Sequence, residues 1–304
     1  MHNGGAETAM NFPYFVAGES GSFWAPTLVL IGLYAVRYVV FAGFAYALGY
    51  RRGMSDRWHK LQPSMPTAAQ LRREIAYSAV AVAVFGLINV VLVVLGALPH
   101  TLLYGNIARH GWMWFVLSIP VALMLHDTYF YWMHRLLHWR GVFGIVHRVH
   151  HLSINPTPWT AYSFHPIESM VQAGAVVLII FVLPMHPLAL IIFQTVSTAV
   201  NVYGHCGYEL YPPHWSRHWL GRWINTSVAH NTHHATARYN YGLYFLFWDR
   251  WMGTLDPDYD RRYAKARPSI DASLGRCHRM AAHRAVLPDH GIDPLALLPK
   301  PGSR

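Results

Sequence analysis

Histidine is unusually frequent in this sequence and recurs at short, repeated spacings. The 304 residues include 21 His against 14 Asp plus Glu. One H-x-x-x-H box and two H-x-x-H-H boxes hold eight of them, and these are His134, His138, His147, His150, His151, His230, His233 and His234. Because an α-helix advances 100° per residue, positions three and four apart lie on the same side of a helix. The spacing therefore predicts pairs of imidazoles one turn apart, which is a geometry that binds metal ions.

Imidazole chemistry makes metal binding the stronger of two interpretations. Neutral imidazole is a common ligand of zinc, iron, copper and nickel, and eight rings exceed the four that one tetrahedral zinc takes. We therefore predict two metal ions and assign the eight box histidines as catalytic ligands. The alternative is that each His is simply packed or hydrogen-bonded, which is the usual situation for an isolated histidine. Burying eight such rings without partners would cost a few kcal/mol for each unpaired polar group.

Composition limits the elements that can carry these boxes. Hydrophobic residues make up 53% of the chain and charged residues only 12%, about half the charged share of a soluble domain. An ordinary water-soluble enzyme and a disordered chain are both excluded. The two cysteines, Cys206 and Cys277, form no C-x-x-C pair, so a disulfide scaffold and a thiolate zinc cluster are excluded as well.

Five apolar blocks predict membrane helices. Three are long, and they are Phe23–Tyr50, Ile75–Leu98 and a block that begins near Trp112 and continues beyond His126. Two shorter blocks, Met170–Leu183 and Leu188–Val202, are separated by two prolines and predict a helical hairpin that crosses the membrane fully or re-enters it. Residues 1–23 contain no Lys or Arg, so we expect no cleaved secretory leader there.

Basic residues predict the orientation, because Lys and Arg are enriched in cytoplasmic loops near the spans. The segment 51–73 contains six of them, whereas 99–111 contains only Arg109 and 1–23 contains none. We therefore expect the N-terminus outside and the C-terminus in the cytoplasm, in a bacterial inner membrane or the endoplasmic reticulum. The net charge of +10 is then explained by orientation and by attraction to anionic headgroups, and nucleic acid is not an expected partner.

The predicted fold is all-α: a multi-pass transmembrane helical bundle of three long spans plus a helical hairpin, with a cytoplasmic histidine-rich helical cap. We divide the chain into an N-terminal transmembrane region of two spans at 1–110 and a catalytic region with a dimetal site at 111–260. Residues 261–304, which are rich in Arg, Pro and Ala, are expected to form a loosely ordered cytoplasmic tail.

Two further patterns accompany the boxes: D-x-x-F/Y-Y-W-x-H-R around the first of them and N-Y-G…W-D-R-x-x-G-T at Asn240–Thr254. Together with the boxes, these patterns resemble the fatty acid hydroxylase superfamily, its sterol desaturase branch in particular. The resemblance covers roughly Trp112–Pro257. Two further stretches are similar to elements of that branch: FHPIES at Phe164–Ser169 and HCGYEL at His205–Leu210. The resemblance thus implies His165 and His205 as a ninth and a tenth ligand.

Four carboxylates lie near the boxes in sequence, and they are Asp127, Glu168, Glu209 and Asp249. We expect them to orient the imidazoles by accepting hydrogen bonds from them. Helix capping or pairing with a nearby Arg is the alternative for each of the four.

The family resemblance implies two iron ions that use O2 to oxidise a membrane lipid. Hydroxylation of a C–H bond is the outcome that we predict; desaturation on the same metal core, or a non-catalytic or zinc-binding protein that binds lipid, is the alternative. No dinucleotide-binding glycine motif and no cysteine set for an iron–sulfur cluster is present in the sequence. We therefore expect an external electron donor, a cytochrome b5-like or ferredoxin-type protein, on the basic cytoplasmic surface.

The count of basic residues generates the first testable prediction. A reporter fused at the C-terminus should be labelled only from the cytoplasmic side, and one inserted near Arg109 only from the outside, because positive charge retains a loop in the cytoplasm. Protease protection of both fusions in membrane vesicles measures this. The reverse labelling of the two fusions would refute the orientation.

Overall fold

A computed structural model describes residues 24–51 and 60–267 of the chain. Residues 1–23, 52–59 and 268–304 lie outside the described residues. The prediction that residues 1–23 contain no cleaved secretory leader therefore concerns residues that are not described. Arg52, Arg57, Cys277 and most of the tail predicted at 261–304 also lie outside the described residues.

Seven helices of eight or more residues are described, and they are α1 (Trp24–Tyr46), α2 (Ala68–Val94), α3 (Gly111–Leu137), α4 (Pro166–Val182), α5 (Pro187–His205), α6 (Ser227–Thr236) and α7 (Tyr259–Ala266). Shorter α-helices occupy Arg140–Val142, Arg148–His151 and Phe247–Trp251, and π-turns occupy Ala47–Arg51 and Phe143–His147. Five 3₁₀ turns occupy Leu98–His100, Ile107–Arg109, Pro158–Tyr162, Trp215–Arg217 and Gly221–Trp223. The described residues contain three isolated β-bridges and no strand.

The predicted helical membrane bundle is confirmed. The α1 helix with its π-turn, α2, α3 and α5 are each long and apolar enough to cross a membrane, and α4 is a shorter apolar helix. The second span begins earlier than the apolar pattern predicted, because Thr67 caps α2 by accepting a hydrogen bond from the Gln70 amide, which adds a polar first turn. The hairpin of α4 and α5 is present, joined by the short segment 183–186.

Both hairpin helices start in the same way. A histidine N-cap, His165 or His186, accepts a hydrogen bond from the backbone two residues later and is followed by proline at the first helical position. Proline is suited to that position because its missing N–H would have no partner within the helix. The two His-Pro pairs therefore define where α4 and α5 begin.

The bundle exposes large apolar side chains outward, and α1 buries Thr27, Tyr38 and Ala42. Leu28, Val36 and Phe44 on α1 are 64–65% exposed, which suits a lipid-facing surface. Toward the interior, the Tyr38 ring stacks on Tyr162 with centroids 4.9 Å apart. The N-terminal spans and the predicted catalytic region therefore share one core within the described residues.

Close packing of α1 against α2 provides a stability test. A methyl group added at Gly86 would lie 2.1 Å from Ile31 Cγ1, whereas one added at Gly32 would meet no heavy atom within 4 Å. Gly86→Ala should destabilise the protein by about 1–3 kcal/mol, since overpacking forces side chains and backbone to shift. The thermal unfolding midpoint in detergent measures this effect.

Gly32→Ala is the matched control on the neighbouring helix. It should leave the midpoint unchanged or raise it slightly, because alanine favours a helix interior over glycine. A Gly86→Ala midpoint equal to or above the wild-type value would contradict the packing described here.

Candidate metal centre

Nine of the ten histidines predicted as ligands meet in two groups. His134, His138, His147, His151 and His233 form the first group, and His150, His205, His230 and His234 form the second. Within each group one nitrogen per ring lies within 4.8 Å of the others. All nine side chains are buried except His138, which is half-buried. The two groups have the geometry to hold two metal ions.

The elements that carry the rings converge at one end of the bundle. His134 lies on the last turn of α3, and His138 is its C-cap. His205 is the last residue of α5. The second box spans the π-turn Phe143–His147 and the short helix Arg148–His151, and the third box lies on α6, whose residues 227–234 are all buried.

The three histidines of each H-x-x-H-H box are divided between the two groups. In the second box His150 joins one group while His147 and His151 join the other. In the third box His233 is separated in the same way from His230 and His234. Adjacent residues on a helix differ by 100° in direction, so the extra histidine in each box contributes to a second site.

Hydrogen bonds from Nδ1 fix the orientation of the rings. In the first group the His134 Nδ1–H donates to the Tyr241 carbonyl at 2.8 Å, the His233 Nδ1–H to the Tyr239 carbonyl at 2.6 Å, and the His147 Nδ1–H to Glu168 Oε1 at 2.7 Å. A ring that donates through Nδ1 in its neutral form carries its lone pair on Nε2. The Nε2 lone pairs are therefore directed away from these acceptors.

The second group follows the same rule. The His205 Nδ1–H donates to the Asn201 carbonyl at 2.7 Å, the His234 Nδ1–H to the Ser153 carbonyl at 3.0 Å, and the His150 Nδ1–H to the Ser163 carbonyl at 3.3 Å. Five of the six acceptors in the two groups are backbone carbonyls, and Glu168 is the exception.

The Nε2 atoms face one another at close range. His134 and His147 Nε2 are 3.1 Å apart, and the Nε2 atom of His205 lies 3.2 Å from that of His234 and 3.4 Å from that of His150. Each of these rings already uses its Nδ1–H elsewhere, so no ring proton lies between the paired nitrogens. Lone pairs at such distances repel each other unless a cation lies between them. The chemistry of both groups therefore fits a metal ion.

Burial keeps the rings in the state that binds metal. Burial, and next the neighbouring imidazoles, lower the pKa of His147 and His150 well below the usual value for histidine. The same causes lower the pKa of His151 to about 3. The pKa values of His230, His233 and His234 shift in the same direction, with burial as the largest cause. Neutral imidazole is the ligand form, so these six rings need lose no proton to bind metal near neutral pH.

His165 is the one predicted ligand that lies outside both groups. Its Nδ1 accepts a hydrogen bond from the Ile167 amide and caps α4. A ring nitrogen that accepts a bond from the backbone has already used that lone pair. The H-P-x-E stretch instead contributes Glu168, which accepts from His147.

Only one of the four predicted carboxylates contacts an imidazole, and it is Glu168. Asp127 Oδ1 accepts from the amides of Leu243, Tyr244 and Phe245. Asp249 accepts from the amides of Tyr241 and Gly242. Both carboxylates therefore hold the 241–245 loop, whose Tyr241 carbonyl orients His134, so their effect on the rings is indirect.

Glu209 does not orient an imidazole either. It accepts from the Tyr203 hydroxyl at 2.5 Å and from the Val228 amide at 3.1 Å. The second contact satisfies a free amide in the first turn of α6. Glu209 therefore positions the helix that carries the third box.

Glu74 is a supporting residue that the sequence interpretation missed. It is fully buried and accepts from the hydroxyls of Ser153 and Thr157 at 2.7 and 2.6 Å, which fixes the segment whose Ser153 carbonyl accepts from His234. Its place just before the second apolar block was a usable signal, because a charge so close to a span usually has a partner or a function.

A cavity of about 70 Å³ lies between the spans, and α1 to α5 all contribute to its lining. None of the nine grouped histidines lines it. At the histidine end, the Phe164 ring lies 5.1 Å from His150 and the Phe130 ring 5.0 Å from His134, between centroids. The wall of the cavity therefore contacts the rings through these two phenylalanines.

Comparison with known proteins gives consistent matches. Residues 119–254 match the fatty acid hydroxylase family. A Delta(7)-sterol 5(6)-desaturase of Gibberella zeae is 31% identical over 218 residues, which cover 71% of this chain and 64% of that protein. Lathosterol oxidase of Homo sapiens is 32% identical over 190 residues, which cover 61% of each chain. This chain thus aligns with somewhat less than two thirds of these relatives' length. No solved structure matches it.

The lowered pKa values predict how the metal-free protein responds to acid. Unfolding exposes the rings and returns their pKa to about 6.5, so below that pH the unfolded state binds more protons than the folded state. Between pH 6.5 and 5 each such histidine should lower the stability by about 1.4 kcal/mol per pH unit. Burial raises the pKa of Glu209 and, to about 6, that of Asp249; these two carboxyls act in the opposite direction, but the six histidines outnumber them. Thermal unfolding of chelator-treated protein at each pH measures this.

The metal-loaded protein is the matched control. Bound metal competes with protons for the same nitrogens, so the fall should begin at lower pH. A stability of the metal-free form that stays constant from pH 7 to 5 would contradict the burial of neutral rings.

Proposed function

The chain belongs to the fatty acid hydroxylase superfamily, in its sterol desaturase branch, and on this basis we propose that it is a membrane-bound di-iron oxygenase that hydroxylates a C–H bond of a membrane lipid with O2. The observation that carries the proposal is the pair of histidine groups, in each of which one nitrogen per ring lies within 4.8 Å of the others, at one end of a bundle of membrane helices.

We assign one iron ion to each group of histidines, five rings to the first ion and four to the second. Bound iron would supply the activation of O2, which no amino-acid side chain can perform. Imidazole ligands do not by themselves distinguish iron from zinc, so a zinc-binding protein is the alternative metal assignment. In this proposal His165 acts as a helix cap and is not a ligand.

The chain's own residues position the lipid and keep water away from the rings. Phe130 and Phe164 separate the histidines from the cavity, and their apolar rings can hold a hydrocarbon close to the two groups. The hydrogen bonds at Nδ1 hold six of the nine imidazoles in fixed directions, so these six need not move during turnover. A lipid would enter from the bilayer, since the cavity is formed by the spans themselves.

The reducing electrons would come from a separate protein, cytochrome b5-like or ferredoxin-type. Five exposed arginines of the histidine-rich region support this, and they are Arg135, Arg140, Arg148, Arg217 and Arg238. Such a surface attracts an acidic donor through long-range charge. We place this surface and the C-terminus in the cytoplasm and the N-terminus outside, and we assign catalysis to 111–260. Residues 1–110 complete the cavity through Tyr34, Arg37 and Phe85.

Desaturation is the second candidate outcome. The relatives' names, a sterol 5(6)-desaturase and a lathosterol oxidase, favour it. The two outcomes differ in mass, because hydroxylation adds one oxygen atom to the lipid and desaturation removes two hydrogen atoms. A sterol-like lipid, a sphingolipid or another acyl lipid would fit the metal core equally well, and the cavity must select among them.

Replacing one ring of the second group tests the function. His150→Ala should abolish the mass change in lipids of expressing cells, because it removes a nitrogen that lies 3.4 Å from His205 Nε2, and the membrane content of the protein should be unchanged. Iron content per purified chain should fall from two ions toward one. Lipid mass spectrometry and metal analysis measure both.

His100→Ala is the control, since His100 is exposed and lies outside both groups; it should keep wild-type product and iron. With purified protein, product formation should also require an added reductant in addition to O2. Product formed by His150→Ala at the wild-type rate, or formed without any reductant, would refute the proposal.

A further inference from the structure

A row of aromatic rings leads from the protein surface toward the first group of histidines. Trp251 is 62% exposed and lies against Trp248, with ring centroids 5.6 Å apart. Trp248 stacks on the fully buried Tyr131 at 5.8 Å, and the Tyr131 ring meets Tyr241 edge-on at 6.4 Å. These separations are those of aromatic rings in contact, so four rings connect an exposed side chain to Tyr241.

Tyr241 is the ring of this row that contacts the histidines. Its centroid lies 5.2 Å from that of His138, 5.4 Å from that of His233 and 5.6 Å from that of His134. Its backbone carbonyl also accepts the Nδ1–H of His134 at 2.8 Å. Three of the five histidines of the first group thus touch the inner end of the row, and one of them is also hydrogen-bonded to it.

The outer end of the row carries an unpaired positive charge. Trp132, which is 42% exposed, contacts Tyr131 at 5.4 Å and Trp248 at 5.6 Å, so a second exposed ring joins the row. The guanidinium of the exposed Arg135 lies 5.8 Å from the centroids of both Tyr131 and Trp132. None of the ion pairs among the described residues includes Arg135. Its charge is therefore available to an incoming partner.

A second exposed tryptophan begins a row that does not lead to the metal ligands. Trp219 is 75% exposed and contacts His218, which stacks on Trp215 at 5.4 Å. Tyr211 and Tyr203 continue this row. In the part of the chain that the structure describes, none of these five rings contacts a ring of the nine grouped histidines. An exposed ring on a stack is thus not enough to reach the metal groups, and the Trp251 row differs in this respect.

The ring contacts of the second group lead into the core of the spans instead. His150 contacts Phe164 at 5.1 Å, and Phe164 contacts Tyr162 at 6.4 Å. Tyr162 stacks on Tyr38 at 4.9 Å, and both are buried. The first group is therefore the one that the row of Trp251 connects to the surface.

We propose that an acidic one-electron donor protein docks at the outer end of this row and that its electrons reach the first group of histidines through the inner rings. The docking residues are Trp132, Arg135 and Trp251, and the inner rings are Trp248, Tyr131 and Tyr241. The inference rests on the proposed function and identifies where its reductant binds and which side chains conduct the electron. In each transfer the iron of the donor is oxidised by one electron and the metal of the first group is reduced by one, while no covalent bond forms or breaks.

Two physical arguments support this route. Electron transfer becomes slower as the gap between the exchanging groups widens, and aromatic rings in contact couple those groups better than saturated side chains do. Exposed indole rings next to an arginine also form a surface suited to a protein partner, since Trp and Arg are enriched at such interfaces. The Arg135 charge attracts an acidic partner and speeds its encounter.

Donor binding to metal-free, full-length protein in nanodiscs of neutral lipid tests the docking residues. The probes are the soluble haem domain of cytochrome b5 and a plant-type ferredoxin, both of which are acidic one-electron donors. Arg135→Gln should weaken binding of the better probe about 5-fold at low ionic strength, and added salt should reduce the difference because it screens exposed charges. Arg109→Gln is the matched control, since Arg109 is exposed at the opposite end of α3, and it should bind as wild type.

Reduction of the iron-loaded protein without lipid substrate tests the electron path. The absorbance of the reduced donor, followed by stopped flow at saturating donor, gives the limiting rate. Trp248→Leu should lower this rate severalfold with donor affinity and iron content unchanged, whereas Trp248→Phe should retain most of it. Both variants lose the hydrogen bond from Trp248 Nε1 to Thr128, so their difference isolates the aromatic ring. Trp219→Leu, in the row that does not reach the ligands, should behave as wild type.

A variant at the surface keeps the test independent of folding. The double variant Trp132→Leu with Trp251→Leu replaces two exposed rings, so it should fold and bind iron even if Trp248→Leu does not. It should weaken donor binding more than about 5-fold, as expected when interface tryptophans are removed, and it should also lower the limiting rate.

Several results would overturn the inference. They are binding by neither probe, equal affinity of Arg135→Gln and wild type at low ionic strength, and an unchanged limiting rate in Trp248→Leu that has bound iron. Unchanged affinity and rate in the double variant would overturn it as well, because Trp132 and Trp251 would then be rings of the interfacial belt that contacts lipid headgroups.

Failure of this inference and failure of the proposed function are distinguishable, because donor binding and reduction are measured without lipid turnover. Binding that depends on Arg135 and reduction that depends on Trp248, in a protein that forms no oxidised lipid, would support the electron route and remove lipid oxidation. Oxidised lipid formed by Trp248→Leu with wild-type reduction would do the reverse.

Discussion

The repulsion between facing imidazole lone pairs is the constraint on which the rest of this structure depends. His134 and His147, or His205 and His234, cannot stay 3.1–3.2 Å apart through Nε2 unless something positive lies between them or the surrounding protein holds them there. The protein holds these four rings by hydrogen bonds. The Nδ1–H of His147 donates to Glu168, and the Nδ1–H groups of the other three donate to backbone carbonyls. Much of the polar architecture outside the rings serves to place those acceptors.

That architecture explains why so many polar groups are buried next to membrane helices. Asp127 and Asp249 hold the 241–245 loop, Glu209 holds the start of α6, and Glu74 holds the segment at 153–157. Each carboxylate satisfies backbone amides or hydroxyls that would otherwise be buried without partners, at a cost of about 1–3 kcal/mol each. A change at any of these four positions therefore acts on the rings through the backbone.

The cavity lies between the histidines and the core of the bundle. Phe130 and Phe164 line it and contact the rings, whereas on α1 its wall includes Arg37, which donates to Gln194. The helices that are long enough to cross a bilayer thus also form the apolar boundary of the two histidine groups.

The helical membrane fold is predictable from the sequence, because the backbone amides and carbonyls of an uninterrupted apolar run in lipid must form hydrogen bonds within the helix. The histidine boxes are recognisable in the sequence from their helical spacing. All nine histidines that the structure brings together were among the ten predicted, with His205 found only through family resemblance. The helical spacing of 100° per residue accounts for the separation of His150 from His147 and His151. Which rings of different boxes share a group was decided by the packing of the segments against one another. The roles of Asp127 and Glu209 depended on contacts with residues distant in sequence, because the packing of separate segments selects these hydrogen-bond partners. His165 instead caps its own helix through the amide of Ile167, two residues later.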